Sequence, residues 1–437
     1  MMARVHLCYG PGKIEVEVPD ANLLGVVRMR PVDPLTDPAG AVKRGLENLI
    51  GCPSLAEIAR GRSSACVVIS DVTRPVPNTL LLPPLLETLE RAGVRRDKIT
   101  ILIATGIHRP NLGDELVGLV GSEVASVYRI VNHYSEHAED HRFLGRVDDI
   151  PIYLNKTYLD SDLKILTGLV ELHLMAGYSG GRKSILPGIA SLETMKRMHG
   201  YRMIQQDGTA NGRLDDNPFH LAAVKVARMA GVDFILNVTL DEARRVTGVF
   251  AGELEAAHLK AVELVAGSAR VEIPEAAEIV LTSGGGVPLD NTLYQTFKAV
   301  AGCLGAIQEG GTMIIAARNA QGSGSPEFTE LLRSLNNYEH FYELVKEADY
   351  IRKDQWMIQE LCNGLHRCRI LYYAEGLSPE DIRDFLLEPV NSIQEGLDIA
   401  LARHGPSAKV LVIPDGPYVF PHLKEPIEGL YSWQTTV

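Results

Sequence analysis

GLVELHLMAGYSGGRKSILPGIASLETMKRMHG, residues 168–200, packs two histidines, Lys183 and a glycine-rich turn into one segment. The apolar run DLKILTGLV leads into it and reads as a buried strand. Glu171 and His173 stand directly past that strand; Gly177, Gly180 and Gly181 bracket Tyr178 and Ser179, and Arg182, Lys183 and Ser184 follow. A helix from about Ser191 carries His199 near its end and stops at Gly200. Glycines let a backbone come close to a ligand, and successive free N–H groups make an anion-binding concavity. Lys183 beside such a turn can meet a phosphate or act as a nucleophile. The spacing is not that of a P-loop, which needs G-x-x-x-x-G-K-[ST]. Alone, the segment is an anion-friendly turn between two histidines, and lone histidines and Gly-Gly turns are more often structural than chemical.

The same design recurs upstream. ACVVIS, residues 65–70, has strand length and empties into DVTRPVPN, which puts Asp71, Val72, Thr73 and Arg74 at a strand's carboxyl end. Pro75 and Pro77 force the chain out of regular structure. KITILIA, residues 98–104, empties into TGIHRP, with His108 and Arg109 just past its end. Strands alternating with helices imply a mostly parallel sheet with crossover helices, and open α/β sheets bind ligands beyond the carboxyl ends of their strands. Three strand ends that each deliver Asp, Arg or His to one edge outweigh the structural reading of any one of them. Residues 4–28 read as a hairpin around Gly10-Pro11-Gly12, and helices are expected over 38–60, 80–92 and 216–232. His220 and His258 lie in helical context and read as structural. His133, His137 and His141 have a spacing that could gather metal on a helix face, but VNHYSEHAEDHRFLG is polar and reads as a solvated loop.

A second α/β rhythm starts after SARVEIPEA, residues 268–276. AEIVLTSGGG, residues 277–286, is a strand running into three glycines. The next helix carries Tyr294, Gln295 and Lys298 on one face. TMIIAA, RILYYAE and KVLVIPDG are further strands, and Gln355 and Trp356 fall in a helical stretch. The expected fold is therefore α/β with two domains, 1–270 and 271–437, each a mostly parallel sheet with flanking helices, and an active site in the interdomain cleft. A chain of 437 residues exceeds the usual single core. A net charge of −12 argues against a nucleic-acid surface but leaves room for a local basic pocket that takes a small anion. The first residues lack the apolar region of a secretory signal, and no stretch of about 20 apolar residues suggests a membrane span. Six scattered cysteines without a C-x-x-C pair fit reduced thiols in the cytoplasm.

With these motifs in order, the chain resembles the nickel-pincer-nucleotide-dependent lactate racemase family over nearly its full length. The resemblance rests on DVTRP at 71–75, TGIHRP at 105–110, ELHLMAGYSGGRKSILPG at 171–188, His199, SGGGVPLDNTLYQTFKA at 283–299 and Gln355-Trp356. It implies that Lys183 holds the cofactor, a pyridinium-3,5-bisthiocarboxylic acid mononucleotide, through a thioamide bond. By the same resemblance His199 ligates the nickel beside one carbon and two sulfur donors from that cofactor, a square-planar set that suits Ni(II). Asp71, Val72, Thr73, Arg74 and Trp356 would line the cofactor, His108 and His173 would be the two acid/base residues, and Arg74, Tyr294, Gln295 and Lys298 would hold the substrate. The turn departs from the family pattern at Arg182, where a third glycine is expected.

The implied reaction is racemisation or epimerisation of a 2-hydroxy acid, with lactate foremost, by reversible proton-coupled hydride transfer. Taking the α-hydrogen as hydride avoids a carbanion beside a carboxylate. Each enantiomer needs its own base for the hydroxyl proton, hence two histidines, whose ordinary pKa lies near neutral. Cationic Arg74 and Lys298 suit a carboxylate. The implied partners are the small 2-hydroxy acid and the enzymes that build the cofactor, with no nucleic acid and no membrane. A longer, aromatic or sugar 2-hydroxy acid fits the same residues, as does a non-catalytic protein that binds an anionic metabolite. An NAD-dependent oxidoreductase fits less well, since no G-x-G-x-x-G opens a helix after the early strands. A pyridoxal-phosphate enzyme would use Lys183 but leave His108, His173 and His199 idle.

Overall fold

Ala65–Ser70, Ile99–Ala104 and Leu163–Leu169 are strands, as their apolar runs predict. Both faces of each are covered, so side chains on both faces must be apolar and the run reads as continuous. The computed structural model describes residues 1–206, 208–347 and 350–423. The chain falls into two units: Met1–Arg30, His199–Gly212 and Ser268–Val437 form one, and Pro31–Met198 with Arg213–Gly267 the other.

The unit built on Pro31–Met198 holds a six-stranded sheet ordered Val246–Gly252, Phe234–Leu240, Leu163–Leu169, Ala65–Ser70, Ile99–Ala104, Arg129–Asn132. Only the Val246–Gly252 edge is antiparallel. From Ala65–Ser70 the chain steps outward twice, then returns to place Leu163–Leu169 on the other side of Ala65–Ser70. The strand order reverses between those two, which is where open α/β sheets present a crevice. Val67, Ile69, Ile101, Ile103, Ile165 and Leu236 of the sheet bury against Leu82, Leu85, Leu86 and Leu89 of the helix Asn78–Arg91. The helix Pro218–Ala230 begins where its sequence says it should: Asn217 caps it by accepting from the His220 N–H, Pro218 opens it, and Gly231 follows it with φ of 75°.

The other unit repeats the plan. Its sheet runs Glu388–Pro389, Arg369–Tyr373, Ile307–Ala316, Ala277–Ser283, Val410–Ile413, Leu23–Val26, all parallel. The reversal lies between Ala277–Ser283 and Val410–Ile413, at the strand end that runs into SGGG. The predicted hairpin is present, Met2–Tyr9 pairing with Gly12–Pro19. Its Val5, Leu7, Val16 and Val18 join the core of this sheet.

The division differs from a single cut at residue 270. Residues 1–30 cluster with the later half because Leu23–Val26 pairs with Val410–Ile413, and His199–Gly212 cluster there too. The expected second domain also runs over residues 424–437, which lie outside the described residues. The stretch read as a solvated loop is otherwise: His133 is wholly buried and meets the edge of His141, ring centroids 5.1 Å apart. His133 Nδ1 takes a hydrogen bond from Asn155 and its Nε2 donates to the Ala190 carbonyl. The expected 38–60 helix is two, Pro38–Glu47 and Leu55–Ala59.

Candidate active site

Asp71 is nearly fully buried at the end of Ala65–Ser70. Its Oδ2 lies 2.7 Å from His108 Nδ1, and its Oδ1 accepts from the Thr73 hydroxyl at 2.6 Å and the Thr73 N–H at 3.2 Å. Burial pushes the Asp71 carboxyl up, but the hydrogen bonds from His108 and Thr73 and the charge of Arg74 outweigh it, and the group sits below the ordinary carboxylate range. An ionised Asp71 can only accept, so His108 carries its proton on Nδ1 and its lone pair on Nε2. The half-exposed ring of His108 is thereby oriented as a base. Sequence reasoning placed Asp71 on the cofactor; the structure places its carboxylate on His108.

Arg74 reaches across the strand-order reversal to Glu171, Nη1 to Oε1 2.9 Å, and ties together the ends of the two neighbouring strands. Glu171 stood next to His173 in the sequence with no role assigned, and its position at a strand end was the signal. Val72 is exposed, and its N–H donates to Asn111.

His173 lies in a tight two-residue ladder, Leu172–His173 against Gly177–Tyr178. The turn aims the N–H groups of Met175 and Ala176 at its Nδ1, each 3.2 Å away. Its Nε2 is 2.7 Å from Lys183 Nζ. Lys183 sits on a 3₁₀ turn, Gly181–Ser184, entered through Gly180 at φ 76° and opened by Gly181 at φ 49°, a conformation other residues adopt only with strain. A Cβ on Gly180 would lie 2.6 Å from Val170 Cγ2. The Gly106 N–H donates to the Gly188 carbonyl, which joins the TGIHRP loop to the lysine's loop.

Arg182 needs no positive φ, which is why glycine is not required there. Its guanidinium turns inward, wholly buried, and donates to the carbonyls of Ala176, Ser179 and Gly180; Nη1 is also 2.8 Å from His258 Nε2. Burial pushes it down to about 9, so it stays cationic at neutral pH. Burial and this cation together depress His220 to about 3 and His258 well below its ordinary value.

In the other unit, His199 is buried with its ring 5.0 Å from that of Trp356. Trp356 Nε1 donates to the Tyr294 hydroxyl at 2.8 Å. Tyr294 opens the helix Leu293–Cys303, which also presents Gln295 and Lys298. The structure thus links His199, Trp356 and Tyr294 in one chain of contacts. Gln295 Oε1 is a buried acceptor with no donor among the described residues. Among the described residues no three His, Cys, Asp or Glu side chains gather as a metal site; the resemblance asks only one protein donor, His199.

Each of the two α/β units reverses its strand order within its own sheet, and the unit built on Pro31–Met198 holds one imidazole paired with a carboxylate and a second 2.7 Å from a lysine nitrogen, groups that can exchange protons. Comparison with known proteins is specific. The family model described as lactate racemase N-terminal domain matches residues 9–212, and the lactate racemase C-terminal domain matches 273–420. The lactate racemase of Thermoanaerobacterium thermosaccharolyticum is 33% identical over 420 residues, 95% of this chain and 98% of the relative. That of Lactiplantibacillus plantarum is 33% identical over 423 residues, covering 95% and 99%. The solved lactate racemase apoprotein from T. thermosaccharolyticum superposes with a TM-score of 0.91 over 96% of this chain and 100% of its own. A Thermotoga maritima protein, 21% identical, shares the fold at a TM-score of 0.70. The chain belongs to the lactate racemase family, a family of isomerases. Among the described residues no helix is long and apolar enough to cross a membrane.

Proposed function

We propose that this chain is a racemase or epimerase of a 2-hydroxy acid, with lactate the foremost substrate, acting in the cytoplasm. The observation that carries the reading is the Asp71–His108 pair, which fixes a base with its lone pair on Nε2. Two relatives named lactate racemase, alike over nearly all of the chain, support it.

The residues present fit the nickel pincer nucleotide. Lys183 Nζ lies 2.7 Å from the His173 imidazole, a neighbour that suits an amine that becomes an amide-type nitrogen. Gln295 Oε1 is an acceptor awaiting a donor, and a Cβ on Gly106 would meet nothing within 4 Å, which leaves space beside His108. Lys183 would hold the group covalently and His199 would ligate its nickel, with Asp71, Val72, Thr73, Arg74 and Trp356 around it. When bound, it supplies an electrophilic centre for hydride. His108 takes the hydroxyl proton of one enantiomer at Nε2, and Asp71 stabilises the imidazolium that results. His173 serves the other enantiomer. Lys298 and Arg74 hold the carboxylate, and Tyr294 and Gln295 hold the polar groups of the substrate. The enzymes that make the cofactor are the required partners.

The test is co-expression with the cofactor-making enzymes, followed by intact mass, nickel content and a chiral assay on lactate and other 2-hydroxy acids. A mass increment on Lys183, about one nickel per chain and interconversion of enantiomers are expected. A folded chain that met the cofactor yet carries neither increment nor nickel overturns the reading and favours a metabolite-binding protein.

A further inference from the structure

The contact between His173 and Lys183 constrains where the protons are. In the cofactor-free chain Nδ1 of His173 receives two main-chain N–H groups, from Met175 and Ala176, so there it carries no hydrogen itself. A neutral imidazole with a bare Nδ1 has its proton on Nε2. That N–H faces Lys183 Nζ at 2.7 Å, and a hydrogen bond there needs a lone pair on the lysine nitrogen. An ammonium has none. Main-chain N–H groups of the turn between the two ladder strands, not a mobile side chain, set this tautomer.

We propose that His173 holds Lys183 as an uncharged amine before any cofactor is attached, so that the lysine rests as an acyl acceptor and His173 serves attachment. The proposal rests on the reading of Lys183 as the anchor and goes beyond it to how the anchor is made reactive.

The surroundings agree. Arg182, next in the chain, is a buried cation whose hydrogen-bond partners are carbonyls and one imidazole, with no carboxylate partner among the described residues. A second cation beside it is disfavoured by repulsion in a poorly screened interior. The fully buried ring of Phe219, its centroid 5.6 Å from Nζ, adds an apolar wall, although an aromatic face also tolerates a cation. From the helices Pro218–Ala230 and Leu254–Ala269 come His220 and His258, both held neutral. The carboxylates at the neighbouring strand ends are engaged, Glu171 by Arg74 and Asp71 by His108 and Thr73.

The chemistry balances simply. The amine attacks an acyl donor R–CO–X; the C–N bond forms, the C–X bond breaks with its electron pair, and the displaced proton leaves as HX. With a thiocarboxylic acid the donor is R–CS–OH: the C–O bond breaks, HX is water and the product is the thioamide of Lys183.

The experiment needs no cofactor. The cofactor-free full chain is pulsed with trace isotopic acetic anhydride from pH 6 to 10, and each lysine is quantified by mass spectrometry, with exposed Lys13 and Lys43 as references. Lys183 should reach half its limiting rate at least one pH unit below both, which is at least a tenfold larger reactive fraction at pH 7. His173→Ala should move that midpoint up toward the references, and His173→Gln, which keeps a donor, should restore part of the shift. A wild-type curve that overlays Lys13 and Lys43, or a midpoint unmoved by His173→Ala, overturns the proposal; if His173→Ala does not fold, the wild-type curve decides. Normal cofactor loading with an overlaid curve sinks this inference alone. A low midpoint with no loading sinks the cofactor reading alone.

Discussion

Asp71 illustrates what one residue's position does and does not reveal. DVTRP at the end of an apolar run marks a functional edge, because a strand terminus in an α/β sheet faces the crevice. The partner of the carboxylate is set by where another loop, TGIHRP, folds back, and nothing local to either motif encodes that distance. Since Asp71 accepts from His108 Nδ1, its role in the proposed reaction is to position the ring. Asp71→Asn should lower kcat by about 10²-fold or more with little change in KM, while His108→Ala should lower turnover by about 10²–10⁴-fold, the usual worth of a general base. Steady-state kinetics on the loaded enzyme check both, with intact mass confirming that the cofactor remains. Arg182 was the visible departure from the family pattern, and its side chain closes the account: it braces from beneath, through three carbonyls, the turn that carries Lys183.

At the scale of elements, the apolar runs are legible because parallel strands are covered on both faces and cannot afford polar alternation. Turns are legible where glycine is compulsory. Gly180 and Gly106 both have positive φ, but a Cβ on Gly180 would strike Val170 and lie 2.9 Å from Asn237 Oδ1, while one on Gly106 meets open space. Gly106→Ala should therefore cost only backbone strain, about 1 kcal/mol, and Gly180→Ala about 2–4 kcal/mol, as strain and overpacking add. Urea unfolding of the two variants separates the terms. The buried state of His133 was not legible: its neighbours in sequence are polar, and its ring accepts from Asn155 and donates to the Ala190 carbonyl, both well downstream.

For the whole molecule, the two units differ in what acid does to them. His133, pushed down to about 3 chiefly by burial, and His258, lowered well below its ordinary value by burial and Arg182, belong to the unit built on Pro31–Met198. Their folded-state pKa lies below the unfolded one, so their stability is complete above the ordinary 6.5 and is lost as pH falls below it; for His133 the loss runs down to about 3, at about 1.4 kcal/mol per pH unit. Glu360, in the other unit, is raised by burial to about 7, so its ionisation weakens that unit between the ordinary 4.5 and 7, and acidification restores it. Hydrogen exchange at pH 7 and pH 5 should show protection falling in the first unit more than in the second. Two sheets could be read from the sequence, but not that the second is closed by residues near the start, because strand pairing is decided by the whole fold and leaves no local mark. The edge strand Leu23–Val26 finds its partner in Val410–Ile413, about 380 residues later. On the ribosome, at roughly 5–20 residues per second, the opening hairpin therefore emerges some 20–80 s before the strand that completes its sheet. The unit ending at Gly267 is entire well before then, so order of assembly departs from order of synthesis: residues 1–30 are made before that unit and find their place after it.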